Sequence, residues 1–325
     1  MKASVWVWLL CATMGYPGIS LGQSLPADFQ HDRVFVQVKG HEGAPMLFYT
    51  DTGGGWNALT PAAATQLKLP EAGTETLEDG KPLKLRIFTP ALAAQIPAPL
   101  ADQDGWLQGR LVEAADVGMG AAGFLGSRWF AGRRWLFDYP AKAFSLWPAG
   151  WMPGPGWHAT PMHFKVGRDG DPGFHFPRIA IEVDGQALDV LLDTGATATL
   201  GEDAAKAYGL SPGTRVASSF IVASVFNRWQ RSHPEWRVAE SGDIGVGRFP
   251  MIEVPQIVVA GLTVGPVWFA MREDSNFHEF LSPMTDQRIE GAIGGSAFRY
   301  LRMGLDYPGG VAWFQLPADA PPQRH

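Results

Sequence analysis

Apolar and polar positions alternate first at residues 34–39, where Val34, Val36 and Val38 are interleaved with Phe35, Gln37 and Lys39. A period of two predicts a strand with two distinct faces. Gly40 to Ala44 read as a turn, and Met46 to Thr50 as the returning strand. The same layout recurs later. Ile179, Ile181 and Val183 alternate with Ala180, Glu182 and Asp184. Asp184-Gly185 is a hairpin signal, because glycine adopts positive φ at little cost. Leu188 to Leu192 form the second returning strand. Both returning strands run into the same three residues, Asp51-Thr52-Gly53 and Asp193-Thr194-Gly195.

Helix-like stretches follow at a common offset. Thr60 can cap a helix that opens on Pro61 and continues to Leu67. Glu202 lies nine residues after Asp193, as Thr60 lies nine after Asp51, and Asp203 to Tyr208 is helix-like with Gly209 as a stop. Leu83 to Phe88 and parts of Val254 to Met271 read as strands. Pro90 to Asp104 and Arg228 to Gly247 read as loops or hairpin arms.

The ends of the two units also match. Gly123-Phe124-Leu125-Gly126 corresponds to Gly291-Ala292-Ile293-Gly294, and Phe137-Asp138-Tyr139-Pro140 to Leu305-Asp306-Tyr307-Pro308, both at an offset of 168 residues. The two aspartates are only 142 apart, so the second unit carries 26 more residues, expected within Phe220 to Phe249. The division expected is a signal peptide over 1–22, a first lobe over 23–150, a linker or interlobe strand over 151–175 and a second lobe over 176–325. Within the linker, His158 to Val166 is the candidate strand.

Length and composition fit this reading. A chain of 325 residues suggests two domains, each able to form a core. Its 39 Gly and 26 Pro favour short strands and turns. The 13 Trp are expected in core and interface. A formal charge of −6 with no basic cluster argues against nucleic acid. At the N-terminus, Lys2, the apolar run Val5 to Met14 and the small residues around Ser20-Leu21-Gly22 look like an export signal. Cys11, the only cysteine, lies inside it, and Leu10 is bulky where a lipoprotein signal has a small residue. The expected product is exported, periplasmic or secreted, without thiol chemistry and with no membrane segment after signal cleavage.

Asp-Thr-Gly after an apolar strand, followed later by an apolar-apolar-Gly phrase, resembles the aspartic peptidases. The units are similar to the retropepsin-like branch, including Ala196 directly after the second motif and the endings Phe137-Asp138-Tyr139 and Leu305-Asp306-Tyr307. Two units in one chain resemble the bilobed pepsin arrangement. The resemblance covers roughly residues 30 to 316. It implies a mainly β fold of two duplicated, barrel-like lobes with a cleft between them. It also implies Asp51 and Asp193 as the catalytic pair, supported by Thr52, Gly53, Thr194 and Gly195. Three departures stand out. Gly54 and Ala196 replace the Ser or Thr of pepsin-like enzymes, and Gly53-Gly54-Gly55 is an unusually open run. No tyrosine lies between Asp51 and Gly123, leaving Trp106 as the candidate substrate-binding substitute for the flap residue.

Such a pair suits peptide hydrolysis, which needs water activated and a leaving group protonated. Two charges about 4 Å apart repel by ~4 kcal/mol at an effective dielectric near 20, so the pair keeps one proton over a wide acidic range. The activity expected is that of an aspartic endopeptidase, monomeric, acting on peptides or proteins without metal or cofactor. The alternative is a non-catalytic exported protein that keeps the fold and binds peptides or a partner protein. Other motifs carry less. Gly118 to Gly123 matches a dinucleotide fingerprint but lacks its strand–turn–helix frame. Asp102-Gln103-Asp104-Gly105 and Asp169-Gly170-Asp171 are incomplete as calcium loops. The eight histidines are scattered, without a zinc-binding spacing.

Overall fold

The computed structural model describes residues 23–76, 82–100, 109–148, 150–167, 170 and 173–317. Trp106, the export segment over 1–22 with Cys11, and the acidic pairs Asp102/Asp104 and Asp169/Asp171 lie outside the described residues. Strands account for 42 % of the structure and helices for 17 %, so the fold is mainly β. Among the described residues no helix is long and apolar enough to cross a membrane.

The first part of the chain forms β1 (Ser24–Leu25), β2 (Ala27–Gln30), β3 (Arg33–Lys39), β4 (Pro45–Thr50), β5 (Asn57–Leu59), β6 (Glu71–Thr76), β7 (Pro82–Arg86), β8 (Leu111–Glu113), β9 (Gly123–Leu125), β10 (Arg134–Asp138) and β11 (Ala143–Leu146). Three short helices interrupt them, α1 (Pro61–Gln66), α2 (Pro90–Ala93) and α3 (Ser127–Phe130). After β12 (His158–Pro161) come β13 (Arg178–Val183), β14 (Gln186–Leu192), β15 (Thr197–Thr199), α4 (Glu202–Tyr208), β16 (Arg215–Ala217), β17 (Ser219–Val222) and α5 (Ala223–Ser232). The chain closes with β18 (Val238–Asp243), β19 (Phe249–Val254), β20 (Ile257–Val259), β21 (Leu262–Val264), β22 (Val267–Arg272), β23 (Gly291–Ile293), α6 (Gly295–Phe298), β24 (Arg302–Asp306) and β25 (Val311–Gln315).

Local chemistry explains several of these boundaries. The Thr60 hydroxyl accepts from the Ala63 amide at 3.2 Å, and Pro61 opens α1. Gly209 ends α4 at φ +68°, a left-handed position suited to glycine. Gly118, Met119 and Gly120 all have positive φ in a turn, and no helix follows them there.

The two units build sheets of one design. The first has strand order β2-β3-β4-β9-β5-β8-β7-β6, and the second β18-β19-β22-β17-β23-β14-β13-β20-β21. Aligned on the parallel pairs β4–β9 and β14–β23, β5-β8-β7-β6 corresponds to β17-β22-β19-β18 with the same strand directions. The barrel-like lobes expected from the sequence are open sheets, and no barrel closes among the described residues. Each sheet ends on edge strands, and the β18 edge of the second is met by a single bridge from Leu200 to Asp243.

This correspondence corrects the placing of the extra residues. Ala58 faces Phe124 in the first sheet, and Phe220 faces Ala292 in the second, so β17 takes the place of β5. Asn57 and Ser219 are then equivalent, 162 residues apart. Compared with the 142 between the aspartates, 20 of the 26 extra residues precede β17, as the excursion β15–α4–β16. The remaining six are a net figure, with four more residues between β17 and β19, eight fewer between β19 and β22 and ten more between β22 and β23, so at most four fall within Phe220 to Phe249. The helix at the common offset, α4, is therefore not the counterpart of α1. That counterpart is α5, which follows β17 as α1 follows β5. The stretch Arg228 to Gly247, expected as loop or hairpin arm, holds the end of α5 as well as the arm β18, and Pro90 to Ala93 is helical.

A third sheet, β1-β11-β10-β24-β25-β12, joins the units. At its centre β10 and β24 run antiparallel, with Leu136 facing Gly304. Residue 304 is 136 displaced by the 168-residue offset, so a pseudo-twofold axis passes through this pair. The same symmetry relates two cross-strand ion pairs, Arg134–Asp306 at 2.9 Å and Arg302–Asp138 at 3.0 Å. It is the self-complementary pattern of a twofold dimer interface, here within one chain. Trp129, Trp135, Phe137 and Phe144 pack in tilted and stacked pairs in the core beside this sheet. From the segment 151–175, β12 adds the outer strand against β25.

Candidate active site

Each aspartate stands where a buried strand ends. The last residues of β4 and β14 are buried, and the chain then turns beside the parallel strand of its own sheet. The Asp51 amide donates to the Leu125 carbonyl at 2.9 Å, and the Asp193 amide to the Ile293 carbonyl at 2.9 Å. Leu125 and Ile293, the apolar residues before Gly126 and Gly294, are fully buried beneath the turns. The Gly53 amide closes back onto Asp51 Oδ1 at 2.8 Å, and Gly195 onto Asp193 Oδ1 at 2.8 Å. Two turns of identical chemistry result, one from each unit.

The threonines tie these turns together crosswise. Thr52 Oγ1 donates to the Leu192 carbonyl at 2.6 Å and accepts from the Thr194 amide at 2.9 Å. In return, Thr194 Oγ1 donates to the Thr50 carbonyl at 3.3 Å and accepts from the Thr52 amide at 3.2 Å. Both threonines are wholly buried. Each hydroxyl uses its donor and an acceptor on the opposite turn, and four bonds fix the distance between the units.

The glycines answer a steric demand. A Cβ on Gly195 would stand 2.0 Å from Asp51 Cγ, and one on Gly53 would stand 2.8 Å from Asp193 Cγ. Each carboxyl therefore lies over the glycine of the other turn. The two carboxyls are thereby brought close enough to share a hydrogen bond. Asp51 is held well above the usual carboxylate range, first by burial, then by the Asp193 charge and the bond to it; the amides of Gly53 and Gly54 pull the other way. Burial also raises Asp193, opposed by its bond to Asp51 and by the amides of Gly195, Ala196 and Gly53. The two titrate as one unit that retains a shared proton.

The lack of a side chain at Gly54 has a packing explanation. A Cβ at Gly54 would stand 2.5 Å from Phe124 Cζ. The ring occupies the space that a serine or threonine side chain would need. At the equivalent place in the second unit Phe124 is replaced by Ala292, and Ala196 carries a methyl. The Gly54 and Ala196 amides reach their own aspartates in place of hydroxyls.

Three residues of the site were not singled out by the sequence. Asn57 Oδ1 accepts from the Gly126 amide at 2.9 Å, and Ser219 Oγ accepts from the Gly294 amide at 3.0 Å, at equivalent positions of the two sheets. The third is Tyr49, fully buried two residues before Asp51. Its hydroxyl donates to the Gly195 carbonyl at 2.9 Å and lies 2.7 Å from Thr197 Oγ1. The equivalent residue in the second unit is Leu191, so this link across the units has no symmetry mate. A polar tip in an otherwise apolar strand end was the available signal. Burial, with the nearby Asp51 charge, raises the Tyr49 phenol far above its ordinary range, so it stays a neutral donor.

No known family model matches the chain, and no curated protein matches it significantly.

Proposed function

We propose that this chain is an aspartic peptidase of the two-lobed kind, with Asp51 and Asp193 activating water for hydrolysis of peptide bonds. The observation that carries the reading is the placement of each carboxyl over the other turn's glycine, fixed by the Thr52–Thr194 crosswise bonds. With one proton on the pair, the charged carboxyl takes a proton from water as that water attacks the scissile carbonyl carbon. The protonated carboxyl hydrogen-bonds the carbonyl oxygen, and a proton from the dyad later passes to the departing amine. Two like carboxyls in contact cannot both ionise, and aspartic peptidases are themselves the standard illustration of that rule. The roles exchange within the pair, so neither aspartate alone is the acid.

This reading goes with a monomer, since both halves of the dyad lie in one chain, and with export to the periplasm or medium. The substrate is a peptide or protein, held by backbone pairing in the cleft. Gly54 and Ala196 favour a second reading, a peptide- or protein-binding protein that keeps the dyad without turnover, because they withhold the hydroxyls that enzymes of the class place beside the carboxyls. A peptide-library digest from acid to neutral pH, with and without a transition-state inhibitor of aspartic peptidases, separates the two. Inhibitor-sensitive cleavage supports the peptidase, and binding of peptides without cleavage supports the second reading.

A further inference from the structure

The two units are not alike beyond their aspartates, and the difference lies in the 20 extra residues before β17. In the first unit the chain passes from Gly54 through Gly55 and Trp56 directly into β5. In the second it leaves at Ala196, runs through β15, α4 and β16, and returns at Ser218. The Ser218 amide bonds the Ala196 carbonyl at 2.8 Å, which closes the neck of the excursion.

The excursion folds onto one particular face of the second sheet. Ala198, Leu200, Ala204 and Val216 from the excursion form a single buried cluster with Ala239, Met251 and Ala270 from the sheet. Phe220 packs at its margin. Phe220 pairs with Ala270, Ala270 with Met251, and Met251 with Ala239, so these side chains share one face. In the first unit the equivalent face carries Ala58, Val112 and Leu85, and Ala58 sits directly opposite Phe124. Phe124 is the residue whose ring lies against Gly54 beside the Asp51 carboxyl. The covered face is thus the dyad side of the second sheet.

The cover is fastened on both flanks. The Gly201 amide bonds the Gly242 carbonyl at 2.9 Å, the Ile244 amide the Thr199 carbonyl at 2.8 Å, and the Thr199 amide Asp243 Oδ1 at 2.9 Å. Asp243, almost wholly buried, is anchored in turn by Arg272 at 2.5 Å. On the other flank the Ala217 amide bonds the His31 carbonyl at 2.9 Å, and Thr197 meets the Tyr49 hydroxyl. The excursion is held by the β18–β19 hairpin and by the first unit together.

From this geometry we infer that the cleft accepts the end of a polypeptide, with a long segment lying only over the first unit and a short one over the second. An extended chain advances ~3.3 Å per residue. On the second unit's side the excursion leaves the chain only three residues after Asp193, and the inference is that it shortens the track there. The inference rests on the peptidase reading and says where along a substrate that activity falls: near one terminus, always the same one, releasing short fragments.

The test starts from the best-cleaved peptide of a library and lengthens it at one end or the other. The wild-type protein is expected to tolerate extension at one end and to lose about tenfold or more in kcat/KM on extension at the other, the loss that ~1.4 kcal/mol of obstruction gives. Equal cleavage of peptides long on both sides overturns the inference while leaving hydrolysis intact. No cleavage of any peptide, with the wild type indistinguishable from Asp51→Asn, overturns the peptidase reading and the inference with it. A second variant replaces residues 197–217 by one glycine, which restores the connection seen in the first unit. Where circular dichroism shows it folded, it is expected to cut peptides extended at both ends, and retention of the one-sided preference counts against the inference.

Discussion

At the scale of single residues, the site depends on a few groups with no spare partners. Thr52→Val keeps the shape of the side chain but strips the Leu192 carbonyl and the Thr194 amide of their partner. Leaving such buried groups unpaired costs about 1–3 kcal/mol each. A clear fall in Tm is expected, with Thr52→Ser restoring most of it; an unchanged melting temperature would mean that the crosswise bonds contribute nothing. Asp193→Asn should act in the opposite direction on stability at neutral pH. Burial raises the folded-state pKa of the dyad above the unfolded value. Stability from such a group is full below the ordinary aspartate pKa of about 3.9 and is lost as pH rises through the folded value. The asparagine variant escapes that loss while its Oδ1 still accepts the Gly195 amide. Thermal melts from pH 3 upwards, an order-of-magnitude window set by the ordinary pKa of roughly 3.9, should therefore coincide at the acid end and favour the variant at neutral pH. A wild type that is the more stable at neutral pH would contradict a buried, proton-sharing pair.

At the scale of elements, two kinds of ion pair invite different expectations. Asp138 and Asp306 pair with partly exposed arginines across β10–β24, and such pairs are worth roughly 0.2–1 kcal/mol. Asp243 is paired with an almost wholly buried Arg272, whose guanidinium also lies 4.0 Å over the Phe220 ring. Removing one partner of a buried pair strands the other charge and costs about 3–5 kcal/mol. Urea unfolding should find Asp138→Asn near neutral and Asp243→Ala severely destabilised. Similar losses in both would remove the role given to Asp243 in anchoring the excursion.

Element pairing also explains what could be read from the chain. Strands β3, β4, β13 and β14 were legible because their alternation, their turns and their Asp-Thr-Gly endings agree. The pairing of Leu125 and Ile293 behind the aspartates was legible from the Gly-apolar-apolar-Gly phrases. The excursion was not. Two helix-like stretches, α4 and α5, lie in the second unit, and α4 stands at the offset of α1. Only the register of β17 against β23 shows that α5 is the counterpart. Polar short strands such as β6 bury little and leave no periodic signal. Tyr49 was hidden for another reason: its phenol works across 146 residues of sequence, on a partner that local pattern cannot name.

At the scale of the whole molecule, the chain is a duplicated unit that keeps a dimer's symmetry where it needs two carboxyls and departs from it elsewhere. The Leu136–Gly304 axis, the mirrored ion pairs and the crosswise threonines are symmetric. Tyr49, the β15–α4–β16 excursion and the β20–β21 hairpin are not. Symmetry places the two carboxyls at the axis, and the asymmetry is what the inference above reads as a direction for the substrate. Activity should accordingly fall at neutral pH as the shared proton is lost, and fall again in strong acid when both carboxyls are protonated, a bell-shaped profile of kcat/KM.

The measurement that bears most directly on all of this is the kcat/KM of the wild type, Asp51→Asn and Asp193→Asn on one cleaved peptide at its optimal pH. The account predicts that each single substitution removes at least roughly 10²–10⁴-fold of the activity, because half a dyad cannot both activate water and polarise the carbonyl. Wild-type rates in either variant would contradict it.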